Sequence, residues 1–339
     1  MSGQNLSWTK EKVAALFDTP LMTLLYQAQT VHLQHFEANT VQLCTLENIK
    51  AGACPEDCGY CSQSVHHNTD LEKAPLSDYD TVIAAAKAAK EKGATRFCMA
   101  AAWKSPTNRQ LTQVIEMVKS VNALGLETCL SAGMLNEEKA KRLKNEAQLD
   151  YYNHNLDTSE EYYPQVATTR TYEDRLNTLD HLENAGIKVC CGGIMGLGES
   201  REDRVSFIHQ LAKRETPPPS VPINRLVPID NTPLGNVVPL DFMEFLRTIA
   251  VARITMPQSY IRLAAGRESL SDAEQTLCFF AGANSIFYGE RLLTVNNKTT
   301  DADTVLFEKL GLLSEGHKKV ASPCAQSIPS SISVTANVD

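Results

Sequence analysis

No apolar run in the chain approaches the ~18 residues that a membrane-spanning helix needs. Basic residues are also in short supply, 32 Lys and Arg against 40 Asp and Glu, for a net charge of −8. That balance argues against nucleic acid or an anionic membrane as partner, since both are recognised by basic surface. Aromatic residues are few, at 6%; with 43% apolar and 21% charged residues, the composition is that of a soluble globular enzyme. The opening segment MSGQNLSWTKEKVAALF lacks the basic start and apolar core of a secretion signal, so a cytoplasmic protein is expected.

Cysteine, by contrast, is plentiful: ten in 339 residues. In a reducing compartment such thiols are read as metal or catalytic groups before disulfides, and a disulfide scaffold would be far shorter. Three of them, Cys54, Cys58 and Cys61, fall in ACPEDCGYC with the spacing C-x3-C-x2-C, and Tyr60 precedes the last. Soft thiolates suit iron–sulfur clusters, and three of them can hold three irons of a [4Fe–4S] cube. The fourth iron stays open to a small molecule. A zinc site completed by His66 or His67 and a set of inert buried thiols are the competing readings.

Downstream of residue 40, short apolar stretches alternate with helical patterns. Strands are expected at 41–49, 94–102, 126–133, 149–157, 187–196, 221–229, 259–266 and 284–290. Ser77-x-x-Asp80, Thr171-x-x-Asp174, Ser200-x-x-Asp203 and Ser271-x-x-Glu274 each carry the pattern of a capping box that opens a helix. Leu111, Val114, Ile115, Val118 and Val121 recur at helical spacing, and Gly125 and Gly186 stand where helices should stop. Eight β–α alternations predict an α/β fold of the (β/α)8 TIM type, with a doubly wound open sheet as the alternative. Residues 1–38 are expected to form an N-terminal helical extension, 39–314 the barrel and 315–339 a polar, mobile tail. In such barrels chemistry sits at the C-terminal strand ends, where the triple-cysteine loop follows the first strand.

A second group of thiols lies within strands: Cys98, Cys129 and either Cys190 or Cys191. Alternation puts Arg96 with Cys98 on one face, Lys188 with Cys190, and Tyr260 with Arg262 and Ala264. The matching Arg-x-Cys and Lys-x-Cys patterns favour Cys190 as the inward thiol. Three inward thiolates repel one another unless a metal joins them, and a [2Fe–2S] cluster would account for them; small apolar packing is the alternative. Cys44, Cys278 and Cys324 match no such set and are expected to be structural.

The run C-x3-C-x-aromatic-C is similar to that of the radical S-adenosylmethionine enzymes. ACPEDCGYCSQS, RFCMAAAW, YYNHNLDTS, RTYEDRL, AGIKVCCGGIMGLGE, SVPINRLVPI and SYIRLAAGRE, in that order, resemble the biotin synthase family more closely still. The resemblance implies insertion of sulfur into dethiobiotin, with a [4Fe–4S] cluster, S-adenosyl-L-methionine and a [2Fe–2S] cluster as cofactors. It implies that Cys54, Cys58 and Cys61 hold the first cluster, and that Cys98, Cys129, Cys190 and Arg262 hold the second, whose sulfide enters the product. Arg262 is an odd ligand, because a guanidinium is protonated and has no free lone pair; a donor to sulfide is the alternative role. Asn155, Asp157 and Arg175 would contact the S-adenosylmethionine ribose and carboxylate, with Tyr60 and Ile194 of GGIMGLGE beside them. Asn153, Asn155 and Asn224 would pair with the ureido ring of the substrate. A homodimer and a flavodoxin-like electron donor complete what the resemblance implies.

Overall fold

The computed structural model describes residues 8–316. Two helices come first, α1 (Lys10–Asp18) and α2 (Leu21–His35). Strand β1 (Thr40–Lys50) opens a series of strands and helices: α3 (Tyr79–Glu91), β2 (Arg96–Ala101), α4 (Asn108–Ala123), β3 (Glu127–Ser131), α5 (Glu137–Ala147) and β4 (Tyr151–Asn153). It continues with α6 (Tyr172–Asn184), β5 (Lys188–Cys190), β6 (Gly193–Met195), α7 (Arg201–Ala212), β7 (Ser220–Arg225), α8 (Phe242–Thr255) and β8 (Tyr260–Leu263). The last elements are α9 (Asp272–Phe280), β9 (Ser285–Phe287), a hairpin of β10 (Arg291–Leu292) and β11 (Val295–Asn296), α10 (Thr300–Leu310) and β12 (Leu313–Ser314).

The staves β1, β2, β3, β4, β5/β6, β7, β8 and β9 are parallel, and pairing of β9 with β1 closes the ring. This is the (β/α)8 barrel rather than an open sheet. Residues expected as one stave over 187–196 form two short strands that both pair with β7, Cys190 with Ser220 and Gly193 with Ile223. The break has a local cause. Pro222 on β7 has no N–H to offer the ladder, and its carbonyl comes so close that a Cβ on Gly192 would lie 1.8 Å from the oxygen. We therefore expect Gly192→Ala to cost more than about 3 kcal/mol, beyond ordinary overpacking, seen as a collapsed thermal melt of the iron-free protein.

Capping residues fix where the helices begin. Thr171, Ser200 and Ser271 each open a helix with a reciprocal capping box, as does Thr107 with Gln110. At α3 the cap is Asp78 rather than Ser77. The Asp78 carboxylate accepts from Thr81 N and Oγ1 at 2.8 and 2.7 Å, while Ser77 N is bound to Ile49 O. A charged acceptor outcompetes the hydroxyl one residue earlier. Gly125 and Gly186 follow α4 and α6 at φ 78° and 73°, the left-handed stop that glycine adopts without strain.

Apolar side chains fill the shell between staves and helices: Phe97, Met99, Leu130, Tyr152 and Val189 face Leu111, Val114, Val118 and Leu179, all buried. The barrel interior is different, packed with Cys44, Cys98, Cys129, Tyr151 and Cys190. At its N-terminal end α2 lies against α8, and Phe36 packs on Tyr260. Below the thiols the Arg96 guanidinium lies 3.5 Å from the centre of the Tyr151 ring and is bound to Glu127. Among the described residues no helix is long and apolar enough to cross a membrane. Most of the tail expected at 315–339, with Cys324, lies outside the described residues.

Candidate active site

The loop after β1 carries Cys54, Cys58 and Cys61 to the C-terminal mouth of the barrel. Its shape is set by backbone bonds: Cys54 N to Gln63 O at 2.9 Å, Val65 N to Cys54 O at 2.9 Å, and Gly59 N to Val166 O at 2.8 Å. Asp57 anchors it to the segment before α6 by accepting from the backbone of Thr168 and Thr169 at 2.9 and 3.1 Å. Partial burial would raise its carboxyl, but the Thr168 hydroxyl together with those backbone bonds holds it well below the usual range. The imidazoles proposed as zinc ligands are engaged elsewhere, His66 with Pro55 O at 3.1 Å and His67 with Cys58 O at 3.0 Å. Among the described residues no three His, Cys, Asp or Glu side chains converge on one point as a single ion requires. Three thiols spread around one loop instead suit a multi-iron cube. Burial raises Cys54 and Cys58, and burial together with Cys58 pushes Cys61 up to about 12. Iron binding there must therefore displace protons. Arg170, which the sequence reading passed over, donates from Nη2 to Cys58 Sγ at 3.1 Å.

Beside this loop, the end of β4 leaves the ladder earlier than the expected 149–157 stave. Asp157 turns into the left-handed region at φ 67° and bridges to Gly193, with Ile194 N bound to its carbonyl at 2.8 Å. Its carboxylate accepts from Tyr60 Oη at 2.9 Å and from Arg175. Arg175 also donates from Nε to Tyr163 Oη at 2.8 Å and to the Asn155 carbonyl. Arg175 and Asp157 are both nearly inaccessible. Removing one partner of such a pair costs about 3–5 kcal/mol, so the arginine first braces Asp157 and only then offers charge to the cavity. Asn155 Oδ1 accepts from Gly192 N and from Asn153 Nδ2, both at 3.1 Å. Asn224 spans Gly193 O at 2.9 Å and Ala265 N at 3.1 Å.

The inner thiols meet across adjacent staves. Cys98 pairs in register with Cys129, and Asn153 with Cys190, so the three buried thiols cluster on neighbouring staves inside the barrel. Cys190 faces into the barrel, with its sulfur 3.3 Å from Ser220 Oγ. Cys191 faces the outer shell, where burial pushes its thiol up to about 12. Bonds to Cys190 and Cys98, with burial added, hold Cys129 protonated; the same bonds draw Cys98 and Cys190 down. Burial disfavours charge on Arg262, but the facing sulfurs of Cys44, Cys190 and Cys98 outweigh it and keep the guanidinium protonated. Cys44, expected to be structural, thus belongs to this group. The parity argument applied to β2 and β5 would have found it on β1, where Gln42, Cys44 and Leu46 share a face. Cys278 sits in the outer apolar shell.

One cavity of about 320 Å³ joins the two sets, a volume in the range of small-molecule sites. Cys54, Cys58 and Cys61 line its mouth, Cys98, Cys129 and Arg262 its depth, and Tyr60, Asn153, Asn155, Asp157, Arg175, Ile194 and Asn224 the wall between. The β10–β11 hairpin, which no sequence pattern announces, contributes Leu292, Leu293, Thr294 and Val295 to the lining. Ser62 Oγ donates to Thr294 Oγ1 at 2.8 Å and ties it to the cysteine loop.

Residues 48–211 match the model of the Radical SAM superfamily, and 222–313 that of the Biotin and Thiamin Synthesis associated domain. A biotin synthase from Acinetobacter calcoaceticus is 58% identical over 311 residues, covering 92% of this chain and 94% of the relative. One from Burkholderia cenocepacia is 58% identical over 305 residues, 90% of each chain. Among solved structures, methylornithine synthase superposes with a TM-score of 0.76 at 18% identity, covering 90% of this chain and 94% of that one. The FeFe-hydrogenase maturase from Carboxydothermus hydrogenoformans gives 0.79 at 19%, over 93% and 77%. These two likenesses concern the fold.

Proposed function

Because the chain belongs to the biotin synthase family of the radical S-adenosylmethionine superfamily, we infer that its two thiol sets serve one reaction in one cavity. That reaction is the S-adenosylmethionine-dependent insertion of sulfur into dethiobiotin to give biotin. The observation that carries the assignment of residues is the continuous lining that runs from Cys54, Cys58 and Cys61 down to Cys98, Cys129 and Arg262.

When bound, the [4Fe–4S] cluster and S-adenosylmethionine supply a 5′-deoxyadenosyl radical able to take hydrogen from saturated carbon, and the [2Fe–2S] cluster supplies sulfur. Cys54, Cys58 and Cys61 would hold the first, with Arg170 offsetting thiolate charge at Cys58. Asp157 and Asn155, fixed by Tyr60 and Arg175, offer acceptors suited to ribose hydroxyls, and Ile194 gives an apolar wall. Asn153, Asn155 and Asn224 present the amide groups that a ureido ring pairs with. Cys98, Cys129 and Cys190 would hold the second cluster, with Arg262 at the fourth place. The closed wall keeps bulk water from a reactive radical. A homodimer and a flavodoxin-like electron donor belong to the same reading and rest on family membership alone.

Cys190 and Cys191 separate ligand from packing. Cys190→Ser is expected to lose the second cluster. Cys191→Ser should keep it and lower stability by about 1–3 kcal/mol, the cost of a poorly paired buried hydroxyl; iron content and thermal melts distinguish the two. Anaerobic reconstitution should give two clusters of different type per chain, and dethiobiotin with S-adenosylmethionine and a reductant should then yield biotin. Both clusters present with no biotin formed would overturn the assignment.

A further inference from the structure

We propose that Cys44 is a positioning residue of the inner site, whose sulfur aims the Arg262 guanidinium at Cys190. The inference rests on the reading that Cys98, Cys129, Cys190 and Arg262 surround the second cluster. Cys44 is fully buried on β1 and meets Arg262 of β8 inside the barrel, the two staves separated only by β9. Arg262 donates from Nη2 to Cys44 Sγ at 3.1 Å and from Nε to Ser285 Oγ at 3.0 Å, while Nη1 lies 3.7 Å from Cys190 Sγ. A guanidinium is a rigid planar fork. With Nε and Nη2 both held, the direction of Nη1 is fixed, and it points at the thiols.

The other contacts show why the sulfur matters. Gln42 Oε1 is a weaker acceptor for the same Nη2, at 3.5 Å, and it already accepts from Ser285 Oγ at 3.1 Å and from Cys44 Sγ at 3.4 Å. Phe287 borders the guanidinium, with its ring centre 4.9 Å away, and offers no acceptor in the plane. Without Cys44, Nη2 keeps only a bond at the outer limit of hydrogen-bond distance. The plane is then free to swing about its Nε anchor.

The test uses full-length protein reconstituted anaerobically with iron and sulfide, read by visible absorption, resonance Raman and the rate at which a chelator strips the second cluster. C44A should shift the second-cluster bands and weaken its retention about 10–100-fold, as loss of an outer partner of a metal ligand does. C44S, which keeps an acceptor, should recover much of that retention. In an R262M background, C44A should change nothing further, because its action runs through the arginine. C44A indistinguishable from wild type, or equally altered with and without Arg262, would overturn the inference. A wild-type protein with no second cluster would overturn the underlying reading as well. The first cluster is the internal control, and C44V replaces C44A should the latter not fold.

Discussion

Cys54→Ala is expected to abolish S-adenosylmethionine cleavage, with 5′-deoxyadenosine falling to the level of protein-free controls. The fall should span at least about a millionfold, the least that commonly separates enzymes from the uncatalysed reaction. The reason is positional as well as chemical. Cys54 pairs with Ser64 in a backbone bridge and exchanges bonds with Gln63 and Val65, so alanine there removes a sulfur without disturbing the loop. Two thiols would remain, and Cys58 and Cys61 alone leave a second iron of the cube without a protein ligand. Iron per chain should drop by the outer cluster's share while the inner absorbance persists. Retained 5′-deoxyadenosine formation would remove Cys54 from the proposed role.

Cys98→Ala is expected to separate the two halves of the chemistry. The outer loop shares no hydrogen bond with Cys98, so the first cluster and S-adenosylmethionine cleavage should survive. Biotin should fall below detection, because one of three thiols around the inner cluster is gone. Cys98 stands in register with Cys129 on the next stave, and β2 carries no other cysteine that could supply a substitute sulfur. The measurement is a paired assay of 5′-deoxyadenosine and biotin from the same sample. Biotin at wild-type yield from C98A would refute a sulfur source at this site.

The staves were legible because each is a short apolar run flanked by turn and cap signals, and the fold follows from their number and alternation. Cys54, Cys58 and Cys61 were legible because all three sit within eight residues. The inner thiols are legible through parity as well as composition, and Cys44 lacks the basic residue two positions earlier that marks Cys98 and Cys190. What the sequence did not reveal depends on contacts between distant segments. Pro222 meets Gly192 where the fifth stave breaks, too close for any residue with a Cβ, which no local pattern reports. Arg170 reaches Cys58 from 112 positions away. Arg175 lines the cavity as well as bonding to Tyr163, Asn155 and Asp157, and those three partners lie on segments that no local pattern brings to it.

The stacked Arg96 and Tyr151 below the inner thiols have a consequence for upkeep. That floor lies opposite the mouth lined by Cys54, Cys58 and Cys61. On the proposed reading, iron and sulfide that refill a spent interior come in past those cysteines, by the path that substrate takes, and a bound substrate slows repair.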